Sequence, residues 1–158
     1  MTRDINGADA ICAALKHSGI ETVFGVPGTQ TIHFYEALRE SGIRTVTATH
    51  ELAATFMAQG YFRASGRLAA VSVIPGPGFA FALAALPEAY LDSAALVLLT
   101  GQPPTCSLGR RRAQAMHVPR VGRIEAVVVG IDLAHQLGLD ALADHAPLLA
   151  RDRLHVRF

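Results

Sequence analysis

"IRTVTATHELAATFMAQGYFRASGRLAAVSVIPGPG" (43–78) reads as strand, helix, strand, and that order decides the fold. "IRTVTAT" (43–49) and "LAAVSVI" (68–74) are short runs rich in β-branched or apolar residues, as strands are. Between them, residues 51–64 hold apolar side chains almost all round and no proline, which predicts a helix. A helix of that length carries the chain back far enough for the second strand to run parallel to the first.

The same alternation continues outward in both directions. Upstream, "NGADAICAALKHSG" (6–19) predicts a helix with a glycine stop, and "TVFGV" (22–26) a buried strand closed by Pro27 and Gly28. "TIHFYEALRESG" (31–42) is again helical with a terminal glycine. Downstream, "PGPG" (75–78) predicts a turn, 79–91 a helix and "AALVLLT" (94–100) a strand. In the last third, "RIEAVVVGI" (123–131) fits a strand, "DLAHQLGLDALADHA" (132–146) a helix and "RLHVRF" (153–158) a closing strand. With no repeat or linker, residues 1–158 predict a single three-layer α/β domain, with a mostly parallel sheet and helices on both faces.

Composition narrows the setting. Hydrophobic residues make up 51% of the 158 and charged residues 17%, against roughly 25% charged in an average soluble protein. So apolar a chain either meets a membrane or buries surface against another protein. "MTRDINGADA" carries charge where a signal peptide needs an apolar stretch. The longest apolar run, "FAFALAAL" (79–86), falls far short of a span of roughly 18 residues and ends at Pro87 and Glu88. A protein partner is therefore expected, and no membrane. The net charge of +1 gives no argument for nucleic acid, and Arg110, Arg111 and Arg112 read as a solvated loop. Two cysteines, Cys12 and Cys106, make neither a CxxC motif nor a disulfide framework, so a reducing, cytoplasmic setting is expected.

Ligands of open parallel sheets sit beyond the carboxyl ends of the strands. "GVPGTQ" (25–30), "THE" (49–51), "IPGPG" (74–78) and "TGQPP" (100–104) fall there, and together they favour a ligand cleft or an interface edge. Several chemistries find no support. "GPGFAF" (76–81) has phenylalanine where a dinucleotide fingerprint needs glycine or alanine, and Lys16, the only lysine, lies in no phosphate-binding loop. "HELAA" (50–54) lacks the second histidine of a zinc protease, the seven histidines show no metal-ligand spacing, and no G-x-S-x-G occurs. No metal site is expected.

Glu51 stands out instead. A first-turn acid gains roughly 0.3–1 kcal/mol from the helix dipole and needs no further role. Its neighbours Leu52, Ala53, Phe56, Met57, Ala58 and Tyr61, however, predict a desolvated setting that works against the charged form of a carboxyl. A buried glutamate of that kind suits proton exchange with a ring nitrogen.

"VFGVPG" (23–28), "THELAATFMAQGYFRASG" (49–66), "GPG" (76–78) and "EAYLDSAALVLLTGQPP" (88–104) together resemble the N-terminal pyrimidine-binding domain of thiamine-diphosphate enzymes. The resemblance is to the acetolactate synthase, pyruvate oxidase and 2-oxoacid decarboxylase group, and it runs from about residue 6 to 109. It implies that Glu51 hydrogen-bonds N1′ of the cofactor's aminopyrimidine and relays the proton shift that exposes the thiazolium carbanion to a 2-oxo acid. It also implies that Val26, Pro27, Gly28, Gly76, Pro77 and Gly78 line the cofactor, with Gln102 and Gln114 on the substrate side. Phe81 departs from the family's usual asparagine, and Ala113-Gln114-Ala115 from its "FQE"-like segment.

In that family the diphosphate and Mg²⁺ are held by a separate domain, whose G-D-G motif does not occur in this sequence. The resemblance thus implies half a site, completed by a diphosphate-binding subunit or domain. Homodimerisation through helices 51–64 and 79–91 is expected. Three readings follow: the small subunit of a split 2-oxoacid decarboxylase or synthase, a truncated or diverged non-catalytic remnant, and a dimeric interaction module.

Overall fold

The computed structural model describes residues 6–101 and 124–129. Chain order is α1 (Gly7–His17), β1 (Thr22–Gly25), α2 (Ile32–Ser41), β2 (Arg44–Thr47), α3 (Glu51–Ser65), β3 (Ala70–Val73), α4 (Pro77–Leu83), α5 (Leu86–Leu91), β4 (Leu96–Gly101) and β5 (Ile124–Val129). The strands form one sheet in the order β2-β1-β3-β4-β5. The first four are parallel, and β5 runs antiparallel to β4 with Leu96 opposite Val129. The mostly parallel α/β sheet expected from the sequence is thus the one observed.

Strand order and chain handedness fix the layers. From β1 the chain moves outward to β2, then returns past β1 to β3. Right-handed crossovers moving in opposite directions must place their helices on opposite faces. Accordingly α1 and α2 cover one face, where Cys12, Leu15, Phe34 and Leu38 pack with Val23, Ala70, Val97 and Leu99. The helices α3, α4 and α5 cover the other, where Ala54, Ala58, Phe79, Ala82 and Ala89 pack with Phe24, Val71, Val73, Leu96 and Leu98. Adjacent residues such as Val23 and Phe24 therefore enter different cores, because strand side chains alternate between faces. The strands β1, β3 and β4 are buried throughout, whereas edge strand β2 leaves Arg44, Thr45 and Thr47 exposed, the polar edge that discourages further strand pairing.

Two local expectations are corrected. Residues 79–91 are not one helix: α4 ends at Leu83 and α5 begins at Leu86. Pro87 lacks an N–H, and its ring would meet the carbonyl of Leu83 four residues back, so the helix must break before it. The "PGPG" turn is also shorter than expected. Pro77 and Gly78 already belong to α4, with Gly76 as its N-cap at φ 73°, a left-handed conformation that glycine adopts without strain.

Among the described residues no helix is long and apolar enough to cross a membrane. Many of their exposed large apolar side chains gather on α3, α4 and α5: Phe56, Met57, Phe81, Leu83, Tyr90 and Leu91. The helix 132–146, the strand 153–158, Cys106 and the arginine run fall outside the described residues.

Candidate functional site

The parallel strands end at one rim of the sheet. The chain reverses direction between β1 and β3, so the crevice above these two strands is the topological switch point, where open α/β sheets take ligands. Three segments from distant parts of the sequence border it: the loop after β1, the start of α3, and the β3–α4 turn.

Hydrogen bonds tie the loop after β1 in place. Val26 N–H donates to the Ser72 carbonyl at 3.1 Å, which fastens the loop to β3. Gly28 N–H donates to Thr31 Oγ1, and that hydroxyl donates back to the Gly28 carbonyl at 3.0 Å. Thr31 is buried, so these bonds are shielded from water. Val26 and Gly28 are half-buried and Pro27 is exposed.

Glu51 opens the 15-residue α3. His50 is the N-cap, and its Nδ1 accepts the N–H of Leu52 at 3.2 Å. Thr55 Oγ1 donates to the Glu51 carbonyl at 3.0 Å, which anchors the first turn. The helix start is an electropositive place worth roughly 0.3–1 kcal/mol to a carboxylate. Among the described residues the Glu51 carboxylate has no hydrogen-bond or ion-pair partner. Here the expected burial is corrected: Glu51 is half-buried rather than enclosed, and Leu52, Ala53 and Tyr61 are half-buried too. Phe56 and Met57 are exposed, because their positions on α3 turn away from the sheet and nothing in the described chain covers them.

The turn after β3 meets both other segments. A β-carbon built on Gly78 would stand 2.9 Å from Glu51 Oε1 and 2.6 Å from Ile74 Cγ1. A β-carbon on Gly28 would run into Ile74 Cγ2. Glycine at 28 and 78 is therefore demanded by close approach. Gly28, Ile74, Gly78 and Glu51 form one connected cluster, with Gly76 and Gly78 buried and Pro77 exposed. The sequence reading assigned no role to Ile74. Its only signal was its place between a buried strand and a glycine-proline turn.

Phe81 lies at the edge of this cluster. It is 49% exposed, and its ring centroid is 4.9 Å from that of His50 at an interplanar angle of 53°. Gln102 and Gln114 lie outside the described residues. Among the described residues no group of three or more side chains is placed to hold a metal ion.

The arrangement suits a flat, nitrogen-containing ring. Two glycines let backbone approach closely, and the Glu51 carboxylate, unpartnered among the described residues, is an open acceptor at a helix start. The aminopyrimidine half of thiamine diphosphate fits this donor set.

A family model of the thiamine pyrophosphate enzyme N-terminal TPP binding domain matches residues 5–120. Its span reaches past the residue-109 limit of the motif resemblance and includes the arginine run. The chain is 39% identical over 108 residues to "Probable 2-ketoarginine decarboxylase AruI" of Pseudomonas aeruginosa, covering 68% of this chain and 19% of that protein. It is 36% identical over 111 residues to the acetolactate synthase large subunit of Lactococcus lactis, covering 70% and 19%. To the chloroplastic acetolactate synthase of Arabidopsis thaliana it is 39% identical over 118 residues, covering 74% and 18%. The chain spans about a fifth of the length of these relatives. It belongs to the thiamine pyrophosphate enzyme N-terminal domain family.

Proposed function

We propose that this domain supplies the pyrimidine half of a thiamine diphosphate site, in which Glu51 binds and activates the cofactor's aminopyrimidine. The observation that carries the reading is the Glu51 carboxylate, unpartnered among the described residues, apposed to Gly78 and joined through Ile74 to Gly28.

In this reading Glu51 and a pyrimidine ring nitrogen share one proton in a hydrogen bond, which the carboxyl can give to the ring and take back. The start of α3 favours the anionic partner, and backbone at Val26, Gly28, Gly76 and Gly78 supports the ring edge. His50 fixes the first turn through Leu52 N–H, which keeps Glu51 in register. Bound thiamine diphosphate would supply an acidic thiazolium carbon and an electron sink for decarboxylating a 2-oxo acid. The diphosphate and Mg²⁺ would be held by a separate diphosphate-binding domain or subunit. In its finer form, the chain is the small subunit of a split 2-oxoacid decarboxylase or acetolactate synthase-like enzyme, with two copies pairing through α3 and α4–α5.

A second reading, a diverged domain that keeps the fold without the chemistry, has one observation in its favour. The half-exposed Phe81 ring, packed on His50, puts an apolar group beside the site.

Calorimetric titration of thiamine diphosphate with Mg²⁺ separates the two, using the chain alone and the chain with its diphosphate-binding partner. The proposed function predicts binding in the assembly. It also predicts that Glu51→Gln lowers 2-oxoacid turnover by at least about 100-fold, the scale of losing a positioned proton-transfer group. Assembly without binding would establish the second reading.

A further inference from the structure

Ile74 follows the last residue of β3 and is half-buried at the crevice. Its two γ-carbons face two different glycines. Cγ2 occupies the space that a β-carbon on Gly28 would need, and Cγ1 lies 2.6 Å from where one on Gly78 would stand. Gly28 belongs to the loop after β1, pinned by Thr31, and Gly78 to the first turn of α4. One β-branched side chain thus spans the switch point and touches both walls. The Gly78 position also stands against Glu51 Oε1, so whatever sets the first turn of α4 sets the space beside that carboxylate.

The geometry points to Ile74 as the positioning residue of this site: a two-pronged spacer that holds the Gly28 loop and the α4 start at the separation an aromatic ring beside Glu51 requires. The inference rests on the proposed function. A β-branched residue has a stiff χ1 and presents both γ-carbons at fixed angles. The structure therefore makes shape, rather than volume, the property that matters. Valine keeps both γ-carbons and loses only the terminal methyl. Leucine keeps the carbon count of isoleucine but branches one carbon further out, so it cannot place two carbons where Cγ1 and Cγ2 stand.

Ile74→Val, Ile74→Leu and Glu51→Gln are compared with the wild type in two measurements, beside the 2-oxoacid turnover assay that tests the proposed function. The first, needing no cofactor, is the amide chemical shifts of Gly28 and Gly78 in the full chain. The second is calorimetric affinity for thiamine diphosphate with Mg²⁺ in the assembly with the diphosphate-binding domain. The spacer predicts wild-type shifts in Ile74→Val and an affinity within about twofold. For Ile74→Leu it predicts displaced shifts at one or both glycines and an affinity weaker by about tenfold or more, the scale of one misplaced hydrogen bond to a charged group. If Ile74→Leu matches Ile74→Val in either measurement, the two-pronged role is wrong and Ile74 only fills space. If the wild type does not bind, or Glu51→Gln binds and turns over as the wild type does, the proposed function fails and takes the spacer with it. Wild-type binding with a damaged Glu51→Gln variant but an unaffected Ile74→Leu overturns the spacer alone.

Discussion

Gly78→Ala and Gly60→Ala are the same chemical change in two helices, and the structure predicts opposite outcomes. Gly60 lies inside α3, exposed, with nothing within 4 Å of an added β-carbon. Alanine there gains helix propensity of roughly 1 kcal/mol, which raises the melting temperature by about 2–4 °C for a chain of this size. Gly78 is buried in the first turn of α4, where the added methyl would meet Ile74 Cγ1 at 2.6 Å and Glu51 Oε1 at 2.9 Å. Overpacking of that kind costs about 1–3 kcal/mol, which cancels or exceeds the propensity gain. Of the two obstacles, Ile74 is the stiffer, so the Glu51 carboxylate is the group that yields. Urea denaturation of each variant measures the stability difference. Thiamine diphosphate titration of the assembly then tests whether Gly78→Ala weakens binding by about tenfold, as losing one well-placed charged hydrogen bond would. Equal stabilisation by the two substitutions, with binding unchanged, would refute the apposition of Gly78 and Glu51.

Two further outcomes follow from burial. The proposed pairing of two copies through α3 and α4–α5 predicts that a charge at Phe56 or Leu83, both exposed on the apolar side of α3 and α4, gives monomers or aggregates; unchanged dimers in analytical ultracentrifugation would remove this face from the interface. Burial pushes the Cys12 thiol up to about 11, with Ser41 and Lys16 pulling it down and Asp9 adding to the rise. Because the unfolded thiol ionises near 8.5, the stability this group contributes is complete below about pH 8.5. It is lost as pH climbs towards 11, on the order of 3 kcal/mol at most. Urea melts from pH 8 to 11 in a Cys106→Ser background, with and without Cys12→Ala, should show the steeper fall only where Cys12 is present.

Local pattern carried most of the fold. Among the described residues each expected strand core and most expected helices are where periodicity put them, because alternation and helical spacing are properties of a few neighbouring residues. Pro87 was visible too, but the apolar run around it, "FAFALAAL", carried the expected helix across the break that α4 and α5 show. Glu51 was legible because a carboxylate in so apolar a stretch is conspicuous. Its degree of burial was not, since the helical pattern does not say whether Phe56 and Met57 face a core or the outside.

By itself the sequence determined the succession of strands and helices over the described residues, the glycines that admit close approach, and the place of Glu51 at a helix start in an apolar stretch. Only the tertiary structure decided which of these meet. The strand order β2-β1-β3-β4-β5 puts the reversal of the chain between β1 and β3. That brings Gly28 and Gly78, 50 residues apart, to the two γ-carbons of one isoleucine and the second of them to Glu51. No local signal encodes that meeting. It follows from right-handed crossovers packing helices on both faces of a sheet, and from the fit of side chains whose partners lie far away along the chain.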